Sequence, residues 1–316
     1  MAHEKISTLI INTEVSGVYI LKNASVKSSA NGPYLACQLS DASGTIDAKF
    51  WSYTGQISSA DDGKAVYIRG RVGEFKGMPQ LSLSALKLVE SPEEFRKEDL
   101  VPVAPIDVRG AGKEILELVD SMSDPDYKNV CREMLNRYGK AFSVYPAAKT
   151  VHHSFLSGLL MHTYNMLRLA DFLSRIYESV IDRDLLIAGT LLHDFAKTEE
   201  FALSPLGTVT DYTVKGELLG HLFLGAKNVA DVCRELNVPE DKALLLEHMI
   251  ASHHGEPEHG AIVRPMTAEA ELLNLIDLTD SRMEICKEAL EDTEPGSFTD
   301  RIFALDNIKL YSHKKS

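Results

Sequence analysis

The sequence predicts a multidomain chain, a small all-β barrel followed by an all-α domain. Three observations lead there. Over residues 1–90, short runs of β-branched and aromatic residues alternate with turn signals. Over residues 112–300, apolar residues recur at helical spacing. Between them, residues 91–111 are polar and carry Pro92, Pro102 and Pro105, as a linker would. A length of 316 residues suits two domains.

In chain order, strands are expected at 17–21, 34–39, 46–51, 65–72 and 80–83. Asn31-Gly32-Pro33, Asp41-Ala42-Ser43-Gly44, Asp61-Asp62-Gly63 and Lys76-Gly77-Met78-Pro79 supply the turns. Five strands in about ninety residues suggest a barrel of the OB type. Beyond the linker, Asp124-Pro125 reads as an N-cap with Pro at the first helical position. Helices are expected over 155–177, 185–195, 217–236, 240–252 and 268–290. Residues 203–214, with Pro205-Leu206-Gly207, read as a loop or hairpin, and 301–316 as a C-terminal tail, only partly ordered.

The chain carries 33 basic and 46 acidic residues, a formal charge of −13, which argues against a broad basic face wrapping duplex. The charge is unevenly placed. Residues 1–100 hold 11 basic against 12 acidic residues, and the rest 22 against 34, so the barrel is the half free to meet a polyanion. Four cysteines (Cys37, Cys131, Cys233 and Cys286) form no CxxC pair, which fits a reducing compartment rather than a disulfide framework. The N-terminus has no long apolar core and no apolar run approaches a bilayer span, so a cytoplasmic protein is expected.

Nine of the eleven histidines lie between positions 152 and 259. Several sit inside apolar segments: His162 after Leu159-Leu160-Met161, His193-Asp194 after Leu191-Leu192, and His253-His254 after Ile250-Ala251-Ser252. His221 stands between Gly220 and Leu222, and Asp277 is framed by Ile276 and Leu278. A lone buried histidine is most often a hydrogen-bonded core residue. Seven imidazoles and carboxylates in such settings are costly unless they pair or bind metal. Mixed nitrogen and oxygen donors suit Mn, Fe, Co or Zn. One carboxylate bridging two such ions gives a centre that activates water and offsets phosphate charge.

His162, His193-Asp194 and Asp277 match the H…HD…D pattern and resemble the HD-domain metal-dependent phosphohydrolases, an all-α fold. The flanking segments His152–Thr163, His193–Lys197, Ser252–Gly255 and Thr267–Ala270, together with the barrel, resemble the YhaM-type 3′-to-5′ exoribonucleases over nearly the whole chain. The resemblance implies two divalent metal ions, Mn first among them. One would be held by His162, His193, Asp194 and Asp277, the other by His221, His253 and His254 with Asp194 bridging. Asp280 rivals Asp277 for the last carboxylate, since residues three apart share a helix face.

Around these, several readings stay open. Lys197 stands three residues beyond Asp194 and is either a contact to the phosphate or attacking water, or a surface lysine at a helix end. His152 and His153 either line the phosphate path or hydrogen-bond structurally. Glu217 is either a brace for a ligand histidine or a surface residue. Two departures from the family, Ser157-Gly158 for Gly-Gly and Phe195-Ala196 for Ile-Gly, bear on the pocket floor rather than on any ligand.

The segment from Asn31 to Trp51 resembles nucleic-acid-binding OB-folds, in which exposed aromatics stack bases and basic residues follow the backbone. Tyr34, Phe50, Trp51, Tyr53 and Phe75 are candidate stackers, and Lys49, Arg69, Arg71 and Lys76 candidate phosphate contacts. Alternation puts Phe50 and Trp51 on opposite faces, so one of them belongs to the core. The expected activity is an exonuclease shortening single-stranded RNA, with single-stranded DNA as a further substrate and homo-oligomerisation left open. The alternatives are a nucleotide or cyclic-nucleotide phosphohydrolase and a non-catalytic RNA-binding protein.

Overall fold

A computed structural model describes residues 3–30, 32–89, 91, 94–148, 155–291 and 293–313. His152, His153, Asn31 and Pro92 lie outside them. The chain divides into two compact units, Met1–Val103 with Leu203–Thr208, and Ala104–Ala202 with Val209–Ser316.

In the first unit, β1 (Glu14–Ser29), β2 (Gly32–Asp41), β3 (Gly44–Trp51), β4 (Ala65–Phe75) and β5 (Met78–Leu88) close a barrel in the order β1-β2-β3-β5-β4. β3 and β5 run parallel and the other pairs antiparallel, with β4 returning to β1. This is the OB barrel. Strand alternation fills it. On β4, Ile68, Gly70 and Val72 face inward while Arg69 and Arg71 face solvent. Tyr19, Leu21, Leu35, Leu39 and Leu81 join them in the core. Tyr53 belongs there too, contrary to its reading as a stacker. Its ring is buried because its hydroxyl closes the loop after β3, accepting from the Ile57 N–H at 2.7 Å. Phe50 leans on the same core, leaving Trp51 outside.

The described residues of the expected linker, 91–111, include helix. Lys97–Leu100 form a one-turn helix, α1, with Leu100 and Val101 buried, and the Asp99 carbonyl accepts from the Ala42 N–H at 3.2 Å. The next helix, α2 (Val108–Asp120), starts inside the expected linker because Asp107 caps it. Ala111, Ile115 and Val119, at four-residue spacing, bury its inner face.

The second unit continues with α3 (Pro125–Phe142), α4 (Gly158–Ile176) and α5 (Arg183–Leu192). The Asp124 carboxylate caps α3 by accepting from Asp126 and Tyr127, with Pro125 in the first turn. After the single turn α6 (Lys197–Glu200), the 203–214 segment is a hairpin of β6 (Phe201–Leu203) and β7 (Val209–Tyr212). Then come α7 (Val214–Glu235), α8 (Glu240–Ser252) and α9 (Ala268–Glu291).

α5 is the hub: α3, α4, α8 and α9 all pack on it, and Leu186, Ile187, Leu191 and Leu192 are fully buried. Burial of each such side chain contributes about 1.5–3 kcal/mol. Its start is fixed by Asp182, which accepts from Asp184 and Leu185. Asp184 itself is buried and accepts from the Ser123 and Asp124 main chain at 2.6 and 2.7 Å. Within the expected C-terminal tail the described residues, 301–313, are packed: Leu305 is buried, and bridges join Phe298 to Tyr311 and Ile302 to Ile308. Among the described residues, no helix is long and apolar enough to cross a membrane.

Ser157, just before α4, has φ of +61°, in the left-handed region that penalises a Cβ. Ser157→Gly is expected to stabilise the fold by about 1 kcal/mol, read as a higher urea midpoint at unchanged slope.

Candidate metal centre and nucleic-acid interface

α5 ends at Leu192, which places His193 and Asp194 in the turn beyond a helix that is buried from Asp184 onward. α4 contributes His162, the restarted part of α7 His221, the end of α8 His253 and His254, and the middle of α9 Asp277. Thus the seven residues expected from sequence converge. Three donor groups have ligand atoms within 4.8 Å of one another: His162, His193 and Asp277; His193, Asp194 and His253; and His221, His253 and His254. Asp194 lies between the outer two. Its Oδ2 is 3.2 Å from His193 Nε2 and 3.9 Å from His162 Nε2, while its Oδ1 is 3.5 Å from His221 Nε2 and 3.7 Å from His253 Nε2.

The imidazoles are oriented from behind. Nδ1 of His193 donates to the Thr190 carbonyl and that of His253 to the Ile250 carbonyl, both at 2.8 Å. Nδ1 of His254 donates to the His259 carbonyl at 3.1 Å. A carbonyl only accepts, so each of these nitrogens carries the proton and each Nε2 keeps a lone pair. His162 Nδ1 donates to Asp280 at 2.7 Å, and His221 Nδ1 meets both oxygens of Glu200 at 3.0 Å. Among the described residues, buried Nε2 of His193, His221 and His253 and Oδ1 of Asp194 find no hydrogen-bond partner. Each costs about 1–3 kcal/mol if left so. Lone pairs aimed at one another from a buried cluster are the arrangement a divalent cation relieves, and the nitrogen and oxygen donors fit such an ion.

The same packing shapes the protonation of the centre. Burial drives His253 well below the usual imidazole range, with neighbouring imidazoles acting in the same direction. Burial also lowers His254. His162 moves the other way: burial opposes its charge, but Asp277 and Asp280 outweigh this and push it up to about 9. Asp194 and Asp277 are held below the carboxylate range, burial being overcome by Lys197 and His193 for the former and by His162 for the latter. Lys197 Nζ lies 2.7 Å from Asp194 Oδ2, and that carboxylate outweighs burial to raise the lysine.

Asp277 and Asp280 are told apart by which side of His162 they occupy. Asp277 Oδ1 is 3.3 Å from Nε2, on the side of the cluster, whereas Asp280 bonds Nδ1 behind it. The brace for His221 is Glu200, not Glu217, which is exposed on the first turns of α7. Sequence reasoning missed Glu200; the only sign was an acidic residue six positions after Asp194. Gly255 has φ of +77°, and its backbone passes so close to Asn274 that a Cβ would lie 2.7 Å from its amide. Asn274 in turn donates to the His253 carbonyl at 2.7 Å, which fixes the turn carrying both histidines.

On the barrel, Tyr34 and Trp51 pair across β2 and β3 with ring centroids 4.8 Å apart. Lys49 Nζ lies among three rings, 5.9 Å from Tyr34, 5.5 Å from Trp51 and 4.7 Å from Phe75. Lys76, in the β4–β5 turn, lies 5.6 Å from Phe75. Trp51 and Phe75 are about half exposed, at 47% and 51%. Arg69 and Arg71 are exposed on β4. This is the β2–β3 face and the β4–β5 turn with which OB barrels hold single strands.

Fold and centre together define an HD-domain enzyme, and the HD domain family profile matches residues 159–282. The chain is 37% identical over 297 residues to the 3′-5′ exoribonuclease YhaM of Bacillus licheniformis, covering 93% of each. It is 35% identical over 308 residues to that of Bacillus pumilus, covering 97% of each. The chain belongs to the YhaM family. Its barrel region is also similar to the second OB-fold domain of replication protein A from Methanococcus maripaludis, at 18% identity, 28% of this chain, 95% of that chain and a TM-score of 0.24.

If a cation relieves the orphaned Nε2 atoms, Mn²⁺ added to EDTA-treated protein raises the thermal midpoint in a concentration-dependent way. Asp194→Ala should abolish most of that rise. An equal rise in both proteins would exclude the centre as the binding site.

Proposed function

We propose that this chain is a 3′-to-5′ exoribonuclease that shortens single-stranded RNA to nucleoside 5′-monophosphates, with single-stranded DNA as a further substrate, acting in the cytoplasm. The observation that carries the reading is the convergence of His Nε2 atoms and Asp194 on one buried point, in a chain of the YhaM family. His162, His193, Asp194 and Asp277 would hold one divalent ion. His221, His253 and His254, with Asp194 bridging, would hold a second. Two such ions, Mn before Fe, Co or Zn, would supply positive charge against the phosphodiester and would lower the pKa of a water.

The protein's own groups do the rest. Asp194 is suited to bridging because its two oxygens face opposite halves of the cluster. Lys197 is held protonated against it and lines a cavity of about 140 Å³ with His162, His254, Asp277 and Ser281. There its ammonium can pair with a non-bridging phosphate oxygen or orient the attacking water. Attack by water at phosphorus, with cleavage of the P–O3′ bond, leaves a 3′-hydroxyl on the shortened strand and a 5′-monophosphate as product. The fixed imidazoles need no rearrangement when charge develops, which is how a preorganised site lowers a barrier. The rings around Lys49 suit the stacking of successive bases, and the exposed Arg69, Arg71 and Lys76 suit the phosphates between them. A path built on stacking and phosphate contacts does not require the 2′-hydroxyl, so DNA strands fit it as well.

The test is a 5′-labelled single-stranded RNA incubated with Mn²⁺ and resolved by length. A ladder shortening from the 3′ end and lost in EDTA is expected; intact RNA with retained binding would favour a nucleotide phosphohydrolase or a binding protein. Asp194→Ala should remove cleavage while leaving RNA affinity near wild type. Trp51→Ala and Phe75→Ala should each weaken binding of a long strand about 10-fold, as loss of one base-stacking contact does, without altering the metal-dependent thermal shift.

A further inference from the structure

The histidines of the centre are braced in two ways. His193, His253 and His254 give their Nδ1 protons to main-chain carbonyls, whereas His162 and His221 face carboxylates, Asp280 and Glu200. A carbonyl fixes the ring. A carboxylate also makes the opposite nitrogen a stronger donor, as in carboxylate–histidine–metal triads.

Glu200 is buried at 7% exposure, at the end of α6, and several elements meet on it. Its carbonyl accepts from the Thr213 N–H at 2.8 Å, where the chain returns from the hairpin. The first turn of α7 lies so close that a Cβ on Gly216 would come within 2.4 Å of the Glu200 carbonyl oxygen. Gly220, with φ of +68° and ψ of 158°, then breaks α7 immediately before His221. A side chain is strained in that conformation, so glycine allows the break. The His221 N–H is taken up by Glu200 Oε1 at 3.0 Å, so the carboxylate caps the restarted helix. The same carboxylate holds the His221 ring through both oxygens, which turns the orphaned Nε2 toward Asp194.

We propose that Glu200 is a positioning residue for the cation held at the His221, His253 and His254 end of the centre, acting through His221. The proposal rests on the metal-centre reading given above. It assigns the two ends different controls, Asp280 behind His162 and Glu200 behind His221, so loss of Glu200's charge weakens one ion and spares the other.

The full-length chain stripped with EDTA is titrated with Mn²⁺ alone by calorimetry, and bound metal is counted after desalting. Wild type is expected to take two ions. Glu200→Gln keeps an oxygen to cap His221 but removes the charge; it should retain one ion at wild-type affinity and bind the other about 10- to 100-fold more weakly. Glu217→Gln, on the exposed turn, should match wild type. The thermal midpoint of Glu200→Gln in EDTA should equal that of wild type, while its rise with Mn²⁺ is smaller.

Wild-type affinity for both ions in Glu200→Gln, or equal weakening of both, would overturn the proposal. If the variant melts lower in EDTA, the pair cycle with His221→Ala decides. Action through His221 requires the double variant to bind metal no more weakly than His221→Ala alone, and an additive loss would overturn it. A wild-type chain that saturates at one ion overturns the two-ion reading instead, and Glu200 then stands or falls on the affinity of that ion.

Discussion

Everything at the centre depends on hydrogen bonds made on its far side. A neutral imidazole has one proton and two nitrogens, and whichever nitrogen meets a carbonyl must carry the proton. By fixing Nδ1 of His193 and His253 on carbonyls one helical turn back, the ends of α5 and α8 leave Nε2 bare and aimed inward. The lone pairs of His193, His221 and His253 and an oxygen of Asp194 therefore face one another, with no hydrogen-bond partner among the described residues. Such an arrangement opposes folding unless the surrounding core is strong. α5, buried on all sides by α3, α4, α8 and α9, is that core.

The two units divide the physical task. The helical unit concentrates negative charge and buried donors, which suits cations and repels a bare polyanion. The barrel carries almost no net charge over residues 1–100, and its exposed face mixes Lys49 and Lys76 with Tyr34, Trp51 and Phe75. Stacking surfaces there need little net charge, because each base presents an apolar face whatever its identity. An acidic overall balance is thus compatible with a nucleic-acid substrate when the contact surface and the metal centre lie in separate units.

Much of this was legible in the chain. The barrel showed because strands alternate, as Ile68, Arg69, Gly70, Arg71 and Val72 do. The ligand candidates showed because imidazoles and carboxylates stand out inside apolar helices, as His162 does after Leu159-Leu160-Met161. What failed did so for local reasons. Tyr53 looked like any loop aromatic until its hydroxyl was seen closing the loop to Ile57. The prolines of 91–111 masked the one-turn helix at Lys97–Leu100 and the cap at Asp107. The polar composition after residue 300 hid a packed segment that buries Leu305.

The sequence by itself determined the order of the two domains, and it singled out the candidate donors at the centre and the alternation along the strands. These follow from short-range periodicity and from the cost of placing polar groups in apolar runs. Only the tertiary structure decided which carboxylate faces the cluster and which stands behind it. Asp277 and Asp280 are three residues apart on one helix, and they separate only when α9 is packed against His162 on α4. Glu200 became visible in the same way, reaching His221 across 21 positions of chain and past the break at Gly220. Such pairings are set by how helices are brought together, and no spacing along the chain records that.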